Sequence, residues 1–123
     1  MSKILVGVPY LEAEDVNPDG SLPSSLCGGK PVLLMVQGNF CPHCTVAKPA
    51  LQQLAQSIPS VLVATVQIDG EEGDRSAAKR LSSVNKSPGV PAYLGYDRNG
   101  KFVSMHSGGR DKDSLAKFAQ SLQ

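Results

Sequence analysis

Cys41, Pro42, His43 and Cys44 place two thiols three positions apart around a proline and a histidine, a spacing that suits a redox pair able to exchange disulfides. The run before them, Pro31 to Gln37 (PVLLMVQ), has the unbroken apolar character of a buried strand. After them Ala47, Ala50, Leu51, Leu54 and Ile58 recur at helical spacing. Cys41 therefore falls at a helix N-terminus, where unpaired backbone N–H groups and the positive end of the helix dipole favour a thiolate over a thiol. The thiolate attacks disulfides, so Cys41 is expected to be the exposed nucleophile. Pro42 fits the first helical turn, where the N–H it lacks would have no partner. His43 brings ring N–H donors and, when protonated, a positive charge beside the sulfur. Cys44, one turn on and expected to be shielded, can close a disulfide with Cys41 and release whatever Cys41 has captured.

Other elements must hold that strand and helix in place. Lys3 to Val8 (KILVGV) reads as a first strand. Leu11 to Lys30 has no clear period and is expected to be irregular or to carry one short helix. The helix after the cysteine pair should run from about Pro42 to Ser57, with Pro49 inside it as a source of a kink. Val61 to Asp69 reads as a central strand. Asp74 to Val84 reads as a helix with Ala77, Leu81 and Val84 on one side. Ala92 to Tyr96 and Lys101 to Met105 form a hairpin about Asp97-Arg98-Asn99-Gly100, with positive φ angles expected at Asn-Gly. Asp111 should cap a last helix that buries Leu115, Phe118, Ala119 and Leu122.

The chain has 123 residues, a net charge of +1 and three cysteines. That length is expected to make one domain, 1–123, able to bury roughly two thirds of the surface of the unfolded chain, with 1–30 as an atypical opening. Lys and Arg are scattered, so composition argues against nucleic acid or a charged membrane as partner. No run reaches the ~20 apolar residues of a membrane span, and Met1 to Tyr10 is too short for a signal peptide, which leads us to expect an intracellular protein; a monomer is expected as well. Three cysteines make no disulfide scaffold, which leaves the pair for catalysis.

From Pro31 onward, the order of strand, CxxC helix, strand, helix, Gly-Val-Pro strand, Asn-Gly hairpin and final helix resembles the thioredoxin-like superfamily, an α/β fold with a mixed sheet of four to five strands flanked by helices. The landmarks are Phe40 with CPHC, Pro49 eight positions beyond Cys41, Val90-Pro91 opening a strand, and Gly108 before the last helix. The resemblance is to small thioredoxin or protein disulfide isomerase-like proteins, with a CPHC motif similar to that of DsbA-type periplasmic oxidants. It implies a cis peptide bond before Pro91, and a substrate chain seated by Phe40, Val90 and Pro91. Protein thiols or disulfides are the implied partners, with no metal or organic cofactor.

Departures from that pattern matter. The family's buried acid, six residues before the first cysteine, is replaced by Met35, and its lysine partner on the neighbouring strand by Thr65. Losing both together avoids stranding a buried charge, but leaves deprotonation of Cys44 without an evident base. The tryptophan before the motif is replaced by Phe40. A zinc site built on the pair would have to draw its other ligands from Cys27 and the two histidines, and the thioredoxin-like order argues against it. His106 reads as structural or solvated, and Cys27 as a spectator thiol, with a resolving role as its alternative. The expected function is protein thiol-disulfide exchange through a Cys41 mixed disulfide resolved by Cys44, more oxidising than an ordinary thioredoxin. The alternatives are a thioredoxin-type reductase and a non-catalytic peptide-binding or chaperone-like module using the same groove.

Overall fold

Leu33 and Met35 face one way along strand β1 (Val32–Gln37), and Val32, Leu34 and Val36 face the other, so the strand is buried on both faces inside a sheet. The computed structural model describes Leu5 and residues 7–123. β1 pairs in parallel with β2 (Leu62–Gln67) and antiparallel with β3 (Ala92–Tyr96). β4 (Phe102–His106) adds antiparallel to β3, giving the order β2-β1-β3-β4. The mixed sheet thus has four strands among the described residues.

The strand expected over 3–8 lies largely outside the described residues, and Leu5, Gly7 and Val8 are not in the sheet. The next residues meet the outer edge of β2 instead. Thr65 N donates to the Pro9 carbonyl at 3.0 Å, and Leu11 N donates to the Thr65 carbonyl at 2.9 Å.

Two layers cover the sheet. On the face of Leu33, Met35, Val63 and Tyr93 lie helix α2 (Pro42–Ser57), which buries Cys44, Ala47, Leu51 and Leu54, and helix α4 (Lys112–Ser121), which buries Leu115 and Ala119. (The short helix α1, Ser24–Cys27, and α3, Glu72–Arg80, precede and separate these in the chain.) α4 begins as expected, with the Asp111 carboxylate accepting from Ser114 N at 3.1 Å. α3 starts earlier than expected because Glu71 N donates to the Asp74 carboxylate at 2.9 Å as half of a capping box. It also ends earlier, at Arg80, and Leu81–Ser83 continues as a 3-10 turn.

The opposite face is covered by α3 and by the aperiodic connection over 11–30. Leu11, Val16, Leu22 and Cys27 from that connection are buried against Leu34, Val36, Ala64 and Tyr96. Its backbone is tied down by side chains from distant positions. Arg80 donates to the carbonyls of Ala13 at 2.6 Å and Val16 at 2.8 Å, the Ser83 hydroxyl to Asp19 at 2.7 Å, and the buried Tyr96 hydroxyl to Gly20 at 2.8 Å.

The hairpin turn differs from expectation at Asn99, since no residue other than glycine has positive φ among the described residues. Only Gly100 turns left-handed, at φ 86°. The Asp97 carboxylate supplies the rest by accepting from Asn99 N at 2.8 Å and Lys101 N at 3.0 Å. Gly100 also presses on Leu22, whose N–H donates to its carbonyl at 2.8 Å, so a Cβ at this position would strike the Leu22 carbonyl. Gly100→Ala is therefore expected to destabilise the fold by about 2 kcal/mol or more, read as a lower urea midpoint at constant slope. No helix among the described residues is long and apolar enough to cross a membrane.

Candidate active site

β1 hands the chain to α2 through a turn closed by Cys41 N donating to the Gly38 carbonyl at 3.2 Å. A side chain on Gly38 would meet the Phe40 ring, which would have to swing aside into solvent to make room for it. The turn is held from outside by Asp69, just beyond β2. Its carboxylate accepts from Asn39 N and Phe40 N, both at 3.0 Å, and from the Gln67 amide at 3.1 Å. Partial desolvation would raise the Asp69 pKa, but these donors outweigh it and hold the carboxyl below the usual range. Lys48 of α2 ties the same turn by donating to the Asn39 side chain at 3.1 Å.

Asp69→Ala is accordingly expected to cost about 1–2 kcal/mol and to loosen the segment that carries Phe40 and Cys41. In the parent, this contribution is present above the ordinary carboxylate pKa of about 4 and is lost as pH falls through the lower folded value. An acid unfolding series on parent and variant should converge at low pH.

Cys41 is the N-cap of α2, and its sulfur accepts the Cys44 N–H at 3.1 Å. Its thiol donates to the Val90 carbonyl at 3.6 Å. These two contacts fold the side chain inward, which corrects the expectation of an exposed thiol: Cys41 is 5 % exposed. Cys44 is fully buried, as expected of the shielded partner. Burial is the main cause that pushes its thiol up to about 11, followed by a hydrogen bond with Cys41. A backbone hydrogen bond at Gly38 and the Lys48 charge oppose the rise. All three cysteines are free thiols.

Pro42 occupies the first turn of α2, as expected, and is exposed. His43 is exposed and lines a groove of about 330 Å³ with Val46, Ala47, Ala50, Arg110 and Asp111. Phe40 is 67 % exposed beside the pair, and Val46 is 80 % exposed on the same helix. Val90 is half-buried, Pro91 is buried, and the peptide bond between them is cis. The structure thus brings Phe40, Cys41, Pro42, His43, Cys44, Val90 and Pro91 to one end of the sheet.

Cys27 is not part of this constellation. It lies in the core on the other face of the sheet and donates to the Pro23 carbonyl at 3.6 Å, and burial raises its pKa. His106 bonds the Gly109 carbonyl through Nε2 at 2.7 Å and meets Phe118 at a ring distance of 5.0 Å, which is a structural use. Among the described residues no group of three or more His, Cys, Asp or Glu side chains is placed to hold a metal ion. Sequence reasoning missed Asp69 and Lys48. A lone acid after a strand gives no signal of its own, because its partners lie 29 and 30 positions away.

Met35 is buried in β1, and Thr65 stands opposite it in β2 with its hydroxyl donating to the Met35 carbonyl at 2.8 Å. The Thr65 side chain needs no charge partner there.

Comparison with known proteins agrees with this geometry. The thioredoxin family model matches residues 25–121. A putative thioredoxin-like protein, 453L, of Invertebrate iridescent virus 6 is 33% identical over 110 residues, 78% of this chain and 79% of that protein. A putative protein disulfide-isomerase of Schizosaccharomyces pombe is 30% identical over 108 residues, 87% of this chain but only 20% of that protein's length. Among solved structures, thioredoxin f from spinach chloroplast (short form) superposes with a TM-score of 0.70 at 21% identity, over 98% of this chain and 97% of that one, a likeness of fold.

Proposed function

The chain belongs to the thioredoxin family, and on that premise we propose that it is a thiol-disulfide oxidoreductase acting on protein substrates through Cys41. The observation that carries the reading is the N-cap position of Cys41, whose sulfur already accepts the Cys44 N–H at 3.1 Å. That donor strengthens when the sulfur becomes anionic, so it supports the attacking species more than the resting thiol. In the reductive direction the Cys41 thiolate attacks one sulfur of a substrate disulfide. A Cys41–substrate disulfide forms and the other substrate sulfur leaves as a thiolate. Cys44 then loses its proton and attacks Cys41, the Cys41–Cys44 disulfide forms, and the second substrate thiolate departs. The pair gives up two electrons and the substrate gains them; the oxidative direction reverses each step.

Val90 would seat the substrate, because ionisation or disulfide formation at Cys41 frees the Val90 carbonyl for a backbone donor of an extended chain. Pro91 would form the wall beside the pair, and exposed Phe40 its apolar rim. Pro42 and His43 would tune the pair. The proposed direction is isomerase-like or oxidising, supported by His43 and by the uncharged Met35 beneath the pair. Protein disulfide-isomerase names among the relatives agree with this direction, although the chain spans about a quarter and a fifth of the two fungal proteins that carry them.

The test is exchange with a disulfide-bonded model protein and with scrambled substrate, together with capture of mixed disulfides by Cys44→Ala. Turnover of protein disulfides and capture through Cys41 are expected. Binding of unfolded chains that survives removal of both cysteines, without turnover in the parent, would favour a peptide-binding module instead.

A further inference from the structure

Resolution by Cys44 demands a thiolate in a place that burial makes hostile to charge, and Met35 offers no ionisable group to help. The residue directly opposite Met35 in the neighbouring strand is Tyr93. Directly paired residues project to the same face of a sheet, so Tyr93 enters the layer that holds the cysteine pair. It belongs to the same buried cluster as Met35, Cys41, Cys44 and Ala47. Tyr93 is only 3 % exposed, yet its hydroxyl has no hydrogen-bond partner. An orphaned hydroxyl inside a core is costly unless another state of the protein employs it.

We propose that the Tyr93 hydroxyl donates a hydrogen bond to the Cys44 thiolate as it forms, making Tyr93 a catalytic residue of the resolving step. This inference rests on Cys44 being the resolving thiol. The phenol keeps its own proton throughout. The Cys44 proton leaves to water, the sulfur attacks Cys41, and the hydroxyl loses its anionic partner once the Cys41–Cys44 disulfide has formed. Tyr93 suits a donor because burial raises its pKa to about 12, so the O–H is intact wherever the protein works. Besides burial, the main cause, the Arg110 charge lowers that pKa and Cys44 raises it.

The charged and titratable surroundings are few. From α2 and its N-cap there are Cys44, Lys48 and Cys41, from β4 His106 in edge contact with the Tyr93 ring at 5.9 Å, and from the loop before α4 Arg110. β1 and β2 present the uncharged Met35 and Thr65. His106 is occupied with Gly109, and Lys48 donates to Asn39. Of the groups just named, Tyr93 is the buried one whose hydroxyl has no partner.

The experiment compares Tyr93→Phe with the parent, in the full chain. In a Cys41→Ser background, alkylation of the Cys44-containing peptide at about pH 8 is followed by mass spectrometry, and its rate reports the thiolate fraction. Loss of the hydroxyl is expected to slow that alkylation about ten-fold, equivalent to roughly one pKa unit. With both cysteines present, release of a mixed disulfide should slow by a similar factor while capture by Cys41 is unchanged. Thermal stability should hold or rise, since the hydroxyl removed has no partner in the resting state. A second readout needs no substitution at Tyr93. In the Cys41→Ser protein the Tyr93 ¹³Cζ resonance should move as Cys44 ionises. Unchanged Cys44 alkylation in Tyr93→Phe, or a Tyr93 resonance indifferent to Cys44, overturns the proposal. Failure of the underlying reading looks different: Cys44→Ala would then release captured substrate as fast as the parent, whatever Tyr93 does.

Discussion

Cys41→Ser is expected to abolish disulfide exchange, lowering turnover by a factor on the order of 10³ or more, because a serine hydroxyl has no accessible anion and cannot form the mixed disulfide. The fold should barely notice. The substituted group sits at the N-cap of α2, where serine accepts a backbone N–H at least as well as a thiol does. Cys44→Ala should have the opposite signature. The N–H of position 44 belongs to the backbone, so the donor to the Cys41 sulfur survives, capture proceeds, and mixed disulfides accumulate for want of a resolving thiol. Non-reducing gels and intact-mass spectrometry distinguish the two variants. Accumulation in Cys41→Ser in place of Cys44→Ala would reverse the assigned roles.

The same pair sets the pH dependence. With Cys44 pushed up to about 11, its thiolate fraction near pH 7 is on the order of one in 10⁴ in the resting protein. Resolution should therefore quicken almost ten-fold per pH unit through the neutral range, until capture or product release becomes slower. Stability of the reduced protein moves the other way. An unfolded cysteine ionises near 8.5, so the contribution of protonated Cys44 is complete below that pH and is lost as pH rises toward 11. Buried Tyr93 and Tyr96, both raised by desolvation, extend the loss to higher pH.

The elements that seat the cysteines were legible because each carries a strong local signal. A strand of unbroken apolar residues, a helix opening on Cys41-Pro42 and a cap at Asp111 all follow from short-range pattern, and each lies where its pattern put it. What escaped was held together at long range. Residues 11–30 have no period because they form no long element, yet Arg80 and Ser83 pin them to α3 and the turn after it, and Tyr96 pins them to β3, from at least 64 positions away. The exposure of Cys41 was misjudged for a related reason. Its helix-terminal position was visible, but the Val90 carbonyl that draws the sulfur inward arrives from 49 residues downstream. Tyr93 gave no signal at all, because only strand register sets it opposite Met35.

The largest departure from a reducing thioredoxin is expected in the redox potential, which equilibration with glutathione should place near −180 mV, between thioredoxin at about −270 mV and DsbA at about −120 mV. A group that stabilises the Cys41 thiolate stabilises the reduced form and raises the potential. Two features act in that direction: the Cys44 N–H aimed at the Cys41 sulfur, and the apolar Met35 where a carboxylate would repel a forming thiolate. A gap of roughly 90 mV from thioredoxin corresponds to about 4 kcal/mol, or about 10³ in the equilibrium for this two-electron couple. His43→Pro tests a third contribution, that of the histidine within the motif, because His43 is exposed and its replacement in the first turn of α2 removes a donor and a potential charge without opening the core. The potential should fall toward that of thioredoxin while the urea midpoint of the oxidised protein changes little. A parent potential already near −270 mV, or one that His43→Pro leaves unmoved, would return the protein to the reductase reading.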